Sequence, residues 1–173
     1  MSKSNLVKGR KIYIDWVQYI SDVRKLYAKL SSLLNVYNSF NIVSLGRGGS
    51  IPAVMISHLT NVPNNVYNIG LMNYDDVTHD KQNKIIVYQD LHEIKKINKK
   101  PVLIIDDLID SGDSMKYVFD KYFSNVENDI IIATVYNKNK SFNRMISEQE
   151  KKVEFLSGTM YSKNKWLIFP YED

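Results

Sequence analysis

The sequence predicts an α/β fold: an open, mainly parallel, twisted sheet flanked by helices. Three observations predict it. Short apolar runs alternate with stretches of helical periodicity. The two most unusual stretches, one rich in glycine and one rich in acid, each follow directly on a short apolar run. No apolar run approaches the ~18 residues that a membrane helix needs.

Each element has a local reason. In DWVQYISDVRKLYAKLSSLL the apolar residues Trp16, Ile20, Val23, Tyr27, Leu30 and Leu34 recur at helical spacing, and Asp15 stands where an N-cap belongs. FNIVSL is a short strand of the buried type. GRGGS interrupts it, and IPAVMISHL resumes at helical spacing with Pro52 expected in the first turn. NNVYNIGLM and NKIIVYQDL are expected strands separated by the polar NYDDVTHDKQ. PVLII is a strand, SMKYVFDKYF a helix with Met115, Val118, Phe119 and Tyr122 on one face, and NDIIIATVYN a further strand. The tail KVEFLSGTMYSKNKWLIFPYED offers strand-like pieces and no clear helix. In open parallel sheets ligands bind beyond the carboxyl ends of strands, and the loops after Leu45 and Ile105 both fall there.

The bulk composition narrows the field. With 173 residues and no linker or repeat, the chain is expected to form a single domain. It has no cysteine, so disulfides, thiolate catalysis and cysteine zinc sites are excluded, and a reducing compartment is favoured. The start MSKSNLVKGRKIY carries basic residues without an apolar core behind them, unlike a secretory signal. A cytoplasmic location without membrane association follows as the expectation. A net charge of +4 could suit anionic small molecules or nucleic acid, but a merely lysine-rich surface is the favoured reading. His58, His79 and His92 lack metal-ligand spacing. The tyrosines and lysines lack the aromatic-basic pattern of an RNA-binding sheet, so no nucleic-acid partner is expected.

The stretch VLIIDDLIDSGDSM carries the most chemistry. Asp106 and Asp107 follow a buried strand together, where adjacent carboxylates are costly unless paired or solvated. Helix capping accounts for Asp110 to Ser114 but not for that pair. Gly112 permits a sharp turn, Ser111 and Ser114 supply hydroxyl donors, and the following helix start presents free N–H groups. A ligand matching both halves bears hydroxyls or a metal at one end and a phosphate at the other. A ribose 5-phosphate satisfies this.

That stretch resembles the phosphoribosyl pyrophosphate motif of type I phosphoribosyltransferases: an apolar strand, two acids, two apolar residues, Asp, Ser or Thr, Gly, any residue, Ser or Thr. The resemblance implies that fold and a set of roles. Asp106 and Asp107 would hold the ribose hydroxyls, with Asp107 also near magnesium, the implied cofactor. Asp110 would be the catalytic proton acceptor or donor beside the base. Ser111, Gly112 and Ser114, with the backbone N–H of Asp113, would bind the 5-phosphate.

SLGRGGSIPAV is neither a dinucleotide fingerprint nor a Walker A loop. Gly46, Gly48 and Gly49 permit close approach by an anion, and the guanidinium of Arg47 matches phosphate oxygens. By resemblance this loop binds the pyrophosphate, with Arg47 catalytic, and the bond matching a non-proline cis peptide is Gly46–Arg47. NYDDVTHDKQN is longer than an ordinary connection. By resemblance it is a lid over the reacting centre, with Tyr74 its residue of interest.

The two ends resemble bacterial xanthine-guanine phosphoribosyltransferases: YIDWVQYISDVRKLYAKL before IVSLGRGG, and the terminal KWLIFPYED. In VYNKNKS, Lys138 matches the lysine that donates to a purine 6-oxo group, with Lys140 as the alternative. Trp166 would stack on the base and the Leu167 backbone would bond its edge. Tyr171 replaces a second tryptophan of that pattern. The resemblance implies a core over about residues 10–136 with a small hood over about 137–173. It also implies a homodimer or homotetramer, and phosphoribosyl transfer to N9 of guanine, xanthine or hypoxanthine. Two alternatives stand beside it: a regulator of the same fold that binds nucleic acid, and an enzyme of the same fold acting on another nucleobase.

Overall fold

The computed structural model describes residues 10–73, 85–92, 97, 99–147 and 153–172. A six-stranded sheet in the order β4-β3-β2-β5-β6-β7 forms the body, and a two-stranded sheet, β1-β8, stands apart from it. The strands are β1 (Lys11–Tyr13), β2 (Phe40–Leu45), β3 (Asn64–Asn73), β4 (Ile85–Gln89), β5 (Val102–Ile109), β6 (Ile130–Asn137), β7 (Val153–Met160) and β8 (Trp166–Ile168). All pairings in the large sheet are parallel except β3 with β4.

The period-two pattern of the central strands decides which helix covers which face. On β5, Leu103 and Ile105 join the core beneath α1 (Trp16–Leu34) and α2 (Gly46–Leu59). Val102 and Ile104 join the opposite core, beneath α3 (Asp113–Val118) and the π-helical turn Phe119–Phe123 that prolongs it. The crossover from β2 therefore runs over one face toward β3, and that from β5 over the other face toward β6. The strand order reverses between β2 and β5, and a cleft opens there at their carboxyl ends.

Asp15 caps α1 as expected, its carboxylate accepting from the Gln18 N–H at 2.8 Å. The buried stripe is rotated from the expected one. Tyr19, Val23, Leu26, Leu30 and Leu34 are buried, whereas Trp16 and Ile20 are exposed. Val23, Leu30 and Leu34 belong to both stripes, and the apolar residues at Tyr19 and Leu26 complete the one that faces the sheet.

Three further boundaries differ from expectation. The helix α2 begins at Gly46, so GRGGS is its first turn and Pro52 lies in its interior. The strand β5 runs on through the acid pair to Ile109, because β6 continues beside it to Asn137. A short helix, α4 (Phe142–Ser147), follows β6 where none was anticipated. The stretch from about residue 137 onward contributes to both sheets. Its strand β7 edges the main sheet, and β8 pairs in parallel with β1 from the other end of the chain. Among the described residues no helix is long and apolar enough to cross a membrane.

One polar residue is buried between α1 and the sheet. The Asp22 carboxylate accepts from Gln18 Nε2 at 2.8 Å, Lys25 Nζ at 2.9 Å and the Tyr136 hydroxyl at 3.0 Å. Burial acts to raise its pKa, but these three donors outweigh burial and leave it below the ordinary 3.8. A carboxyl depressed on folding contributes stability above its unfolded pKa and loses it as pH falls through the folded value. Replacing Asp22 with Asn is therefore expected to lower stability at pH 7 by about 2 kcal/mol. That gap from the wild type narrows below pH ~3.8. Urea midpoints at pH 7 and pH 3 check it.

Candidate active site

The cleft between β2 and β5 has a volume of about 730 Å³. Its walls include Gly46, Arg47 and Gly48 from the start of α2, Asp106 and Asp107 from β5, Ser114 from α3, and Tyr171 and Glu172 from the C-terminal tail. The two loops singled out in the sequence therefore meet across one space.

The acid pair sits where β2 has turned away. β2 pairs with β5 only as far as Ser44 opposite Ile105, so the next two residues of β5 have no strand paired to them on that side. Both carboxylates are part-buried. The Asp107 N–H donates to Asp106 Oδ1 at 2.9 Å. Burial, reinforced by the charge of Asp107, raises the Asp106 carboxyl well above its ordinary range.

The glycine turn packs directly against this pair. A side chain on Gly48 would run into the Asp107 carboxylate, and a Cβ on Gly49 would stand 2.8 Å from the Ile105 carbonyl oxygen. Gly46 takes a φ of +59°, a conformation that favours glycine. The Gly46–Arg47 peptide is trans, as no cis peptide bond occurs among the described residues, so that expectation is corrected. The sharp change of direction from β2 into α2 is made by the positive φ instead. Behind the turn, Ser50 Oγ lies 2.9 Å from the Gly46 carbonyl and 3.0 Å from Asn68 Oδ1, tying α2 to β3. Arg47 is exposed at the cleft.

The second turn, Ser111 to Ser114, borders a smaller space of about 150 Å³ shared with Asp106 and Asp110. Gly112 has a φ of +95°, and a Cβ there would meet the Phe142 ring. Glycine is thus required twice over, by backbone angle and by the close approach of α4. The Lys116 N–H donates to the Gly112 carbonyl at 2.9 Å, closing the first turn of α3. The Asp113 N–H lies 3.4 Å from Ser111 Oγ. The Asn139 amide donates to the Ser111 carbonyl at 2.5 Å, bracing the turn from the end of β6.

Asp110 and Lys138 come together. Lys138 Nζ is 2.8 Å from Asp110 Oδ2, with the lysine side chain 5% exposed and the aspartate 54%. Their strands set this contact, because β5 and β6 end side by side and the Lys138 N–H donates to the Ile109 carbonyl at 2.8 Å. Lys140 is exposed. Trp166 is 63% exposed on β8 and is not among the residues lining the cleft, while Leu167 is buried opposite Ile12. His58 and His92 are exposed. Tyr74 and the other residues of the expected lid, and His79 with them, lie outside the described residues.

Residues without an assigned role in the sequence also reach the site. The Tyr171 hydroxyl donates to Asp107 Oδ2. Burial and the neighbouring Asp107 charge push that phenol far above its ordinary pKa, so it remains a donor. Tyr19 is fully buried with its ring edge against Tyr171, and its hydroxyl has no hydrogen-bond partner among the described residues. Ile51 and Leu71 line the cleft as well. No local motif marks these positions; the one sign was that Tyr171 departs from the tryptophan of the resembled pattern.

A cleft at the switch point of a parallel sheet, with the acid pair on one wall and the start of α2 on another, is where an open α/β fold holds its ligand. The phosphoribosyl transferase domain model matches residues 10–162, and the chain belongs to that family. It is a phosphoribosyltransferase enzyme. The fold is similar to the crystal structure of a purine phosphoribosyltransferase from Pyrococcus horikoshii, at 25% identity and a TM-score of 0.65, covering 94% of this chain and 95% of that one. It is also similar to a hypothetical protein from Neisseria gonorrhoeae with bound ppGpp, at 18% identity and a TM-score of 0.72, covering 95% and 90%. A Helicobacter pylori xanthine-guanine-hypoxanthine phosphoribosyltransferase is similar at 19% identity and a TM-score of 0.58, covering 94% of each chain. No curated protein matches the sequence.

Proposed function

We propose that the chain transfers the 5-phosphoribosyl group from phosphoribosyl pyrophosphate to N9 of a 6-oxopurine, releasing pyrophosphate. The observation that carries this reading is the convergence of the acid pair, the Ser111–Ser114 turn and the Arg47 turn on contiguous spaces at the carboxyl ends of the central strands. Three separate groups of a phosphoribosyl donor need three such surfaces. The ribose hydroxyls donate to Asp106 and Asp107. The 5-phosphate accepts from Ser111, Ser114 and the N–H groups of the turn. The pyrophosphate lies along Gly46 to Gly49 with Arg47 against its oxygens.

In the reaction the bond from C1 to the pyrophosphate oxygen breaks, its electron pair leaving with the pyrophosphate. The N9 lone pair forms the new bond to C1. Positive charge grows on the sugar ring, and Asp106 and Asp107 lie beneath it. The proton lost from the imidazole ring of the base passes to Asp110. Lys138 steadies Asp110 and offers its ammonium to the 6-oxo group. The similarity to a purine phosphoribosyltransferase supports a purine acceptor.

The donor set suits magnesium. That ion takes one or two protein carboxylates and keeps water and phosphate oxygens as its other ligands. Asp107, with Asp106 beside it on the cleft wall, matches such a minimal site. Burial, with the neighbouring Asp107 charge added, disfavours a charged Asp106, and a cation bound there would offset both. The chemistry magnesium supplies is neutralisation of charge on the leaving pyrophosphate.

The test incubates the protein with magnesium, phosphoribosyl pyrophosphate and, in turn, guanine, xanthine, hypoxanthine, adenine and uracil, then separates any nucleotides formed. Nucleotides from one or more of the first three are expected. Product from adenine or uracil alone overturns the choice of base, and no product with any base overturns the reaction.

A further inference from the structure

The proposed chemistry makes no use of the bond from Tyr171 to Asp107, yet that bond joins residues 64 positions apart. It is held from several directions. The Phe169 N–H donates to Glu172 Oε2 at 2.9 Å, and the Glu172 N–H donates back to the Phe169 carbonyl at 3.1 Å. This closes a turn with Tyr171 inside it. The Phe169 ring stacks on the Tyr171 ring with centroids 5.3 Å apart, and Tyr19 packs edge-on at 5.7 Å. Trp16 covers a further side at 6.2 Å. The phenol has little freedom, so the oxygen it presents is a fixed point on the wall of the cleft.

Asp107 needs such a point. Its carboxylate lies against the backbone of Gly48 on one side and next to Asp106 on the other. A carboxylate repelled by its neighbour turns toward water unless something holds it. A phenol donor on Oδ2 does so at modest cost in acceptor capacity. A carboxylate offers about four lone-pair sites, so one phenol leaves room for a sugar hydroxyl. We infer that Tyr171 is a positioning residue: its hydroxyl holds Asp107 in the orientation that receives the sugar hydroxyls, and through it the C-terminal tail sets affinity for the phosphoribosyl donor. The inference rests on the proposed reading of the cleft as a phosphoribosyl site.

The first test compares wild type with Tyr171→Phe, which keeps the ring and removes the donor. KM for phosphoribosyl pyrophosphate is expected to rise about tenfold, with kcat and KM for the base within about twofold. An unchanged or lowered donor KM overturns the inference, the lowered value meaning that the phenol competes with the sugar. An equal loss in all three parameters also overturns it, as a merely structural role. A wild type without donor-dependent product instead overturns the underlying reading, so the two failures are separable.

A second test needs no substitution at Tyr171 and no turnover. Protein labelled with carbon-13 at tyrosine Cζ is titrated with ribose 5-phosphate, and the spectrum is compared with that of Asp107→Asn. The same tyrosine resonance is expected to move in both. A resonance shifted by Asp107→Asn that ribose 5-phosphate leaves in place overturns the inference.

Discussion

Asp110→Asn is expected to lower kcat about 10²–10⁴-fold, the range that general acid–base groups supply. Affinity for ribose 5-phosphate is expected to stay within about threefold of wild type. The division follows from where Asp110 sits. It is the residue after β5 ends, beyond the acid pair and before the Ser111 turn, and its side chain is half exposed toward solvent. It therefore contributes little to holding the sugar phosphate, and asparagine keeps its shape while losing its capacity to take a proton. Lys138 adds a second consequence. Its ammonium is buried, and Asp110 lies 2.8 Å from it as an ionic partner. A neutral asparagine leaves that charge without compensation, a change that costs stability. Adding Lys138→Met to Asp110→Asn is expected to recover thermal stability without recovering kcat. Steady-state kinetics, calorimetric titration with ribose 5-phosphate and thermal melts check all three statements. A kcat for Asp110→Asn within threefold of wild type refutes the assigned role.

Gly48→Ala carries the second large effect, and its sign opposes simple helix propensity. Within a helix, alanine is favoured over glycine by about 1 kcal/mol, so propensity alone predicts a more stable enzyme. The Gly48 position leaves no room for the added carbon, because the Asp107 carboxylate occupies it. The carboxylate must swing away, although the Tyr171 hydroxyl holds its Oδ2, the oxygen nearest the added carbon. The expected result is a loss of about 10²-fold in kcat/KM for phosphoribosyl pyrophosphate, about 2.7 kcal/mol, with melting temperature little changed. Gly49→Ala supplies the contrast. There the nearest obstacle is the Ile105 backbone carbonyl at 2.8 Å, which cannot swing away, with Asp106 Oδ1 at 3.1 Å and Cα at 3.2 Å behind it. Its principal effect is expected on stability, by about 1–3 kcal/mol. If the two variants behave alike, the distinction between a functional and a packing glycine fails.

Much of the site was legible because its chemistry is local. The acid pair, Asp110 and the Ser111–Ser114 turn lie within nine residues, and all of them except Asp107 border one small space. The glycine turn was legible for a related reason: glycines next to a buried strand signal an unusual backbone path or close approach, and Gly46, Gly48 and Gly49 show both. What was misread there was continuity. The motif appeared to be a loop between strand and helix, whereas positive φ at Gly46 lets α2 begin at once. The strand β5 was cut short for the converse reason. Two acids end a strand by composition, but β6 runs alongside and supplies hydrogen bonds through Ile109.

The amino-acid order by itself determined the alternation of strands and helices, the two loops that face each other and the acids that a phosphorylated sugar requires. Periodicity and turn chemistry are short-range properties, written within about ten residues of each position. Only the tertiary structure decided that β1 and β8 join from opposite ends, that Lys138 lies on Asp110, and that a tyrosine near the C-terminus reaches Asp107. Those contacts depend on which strand edges are adjacent and on how far a tail extends over them. Such distances are set by packing across the whole chain, and no local pattern encodes them.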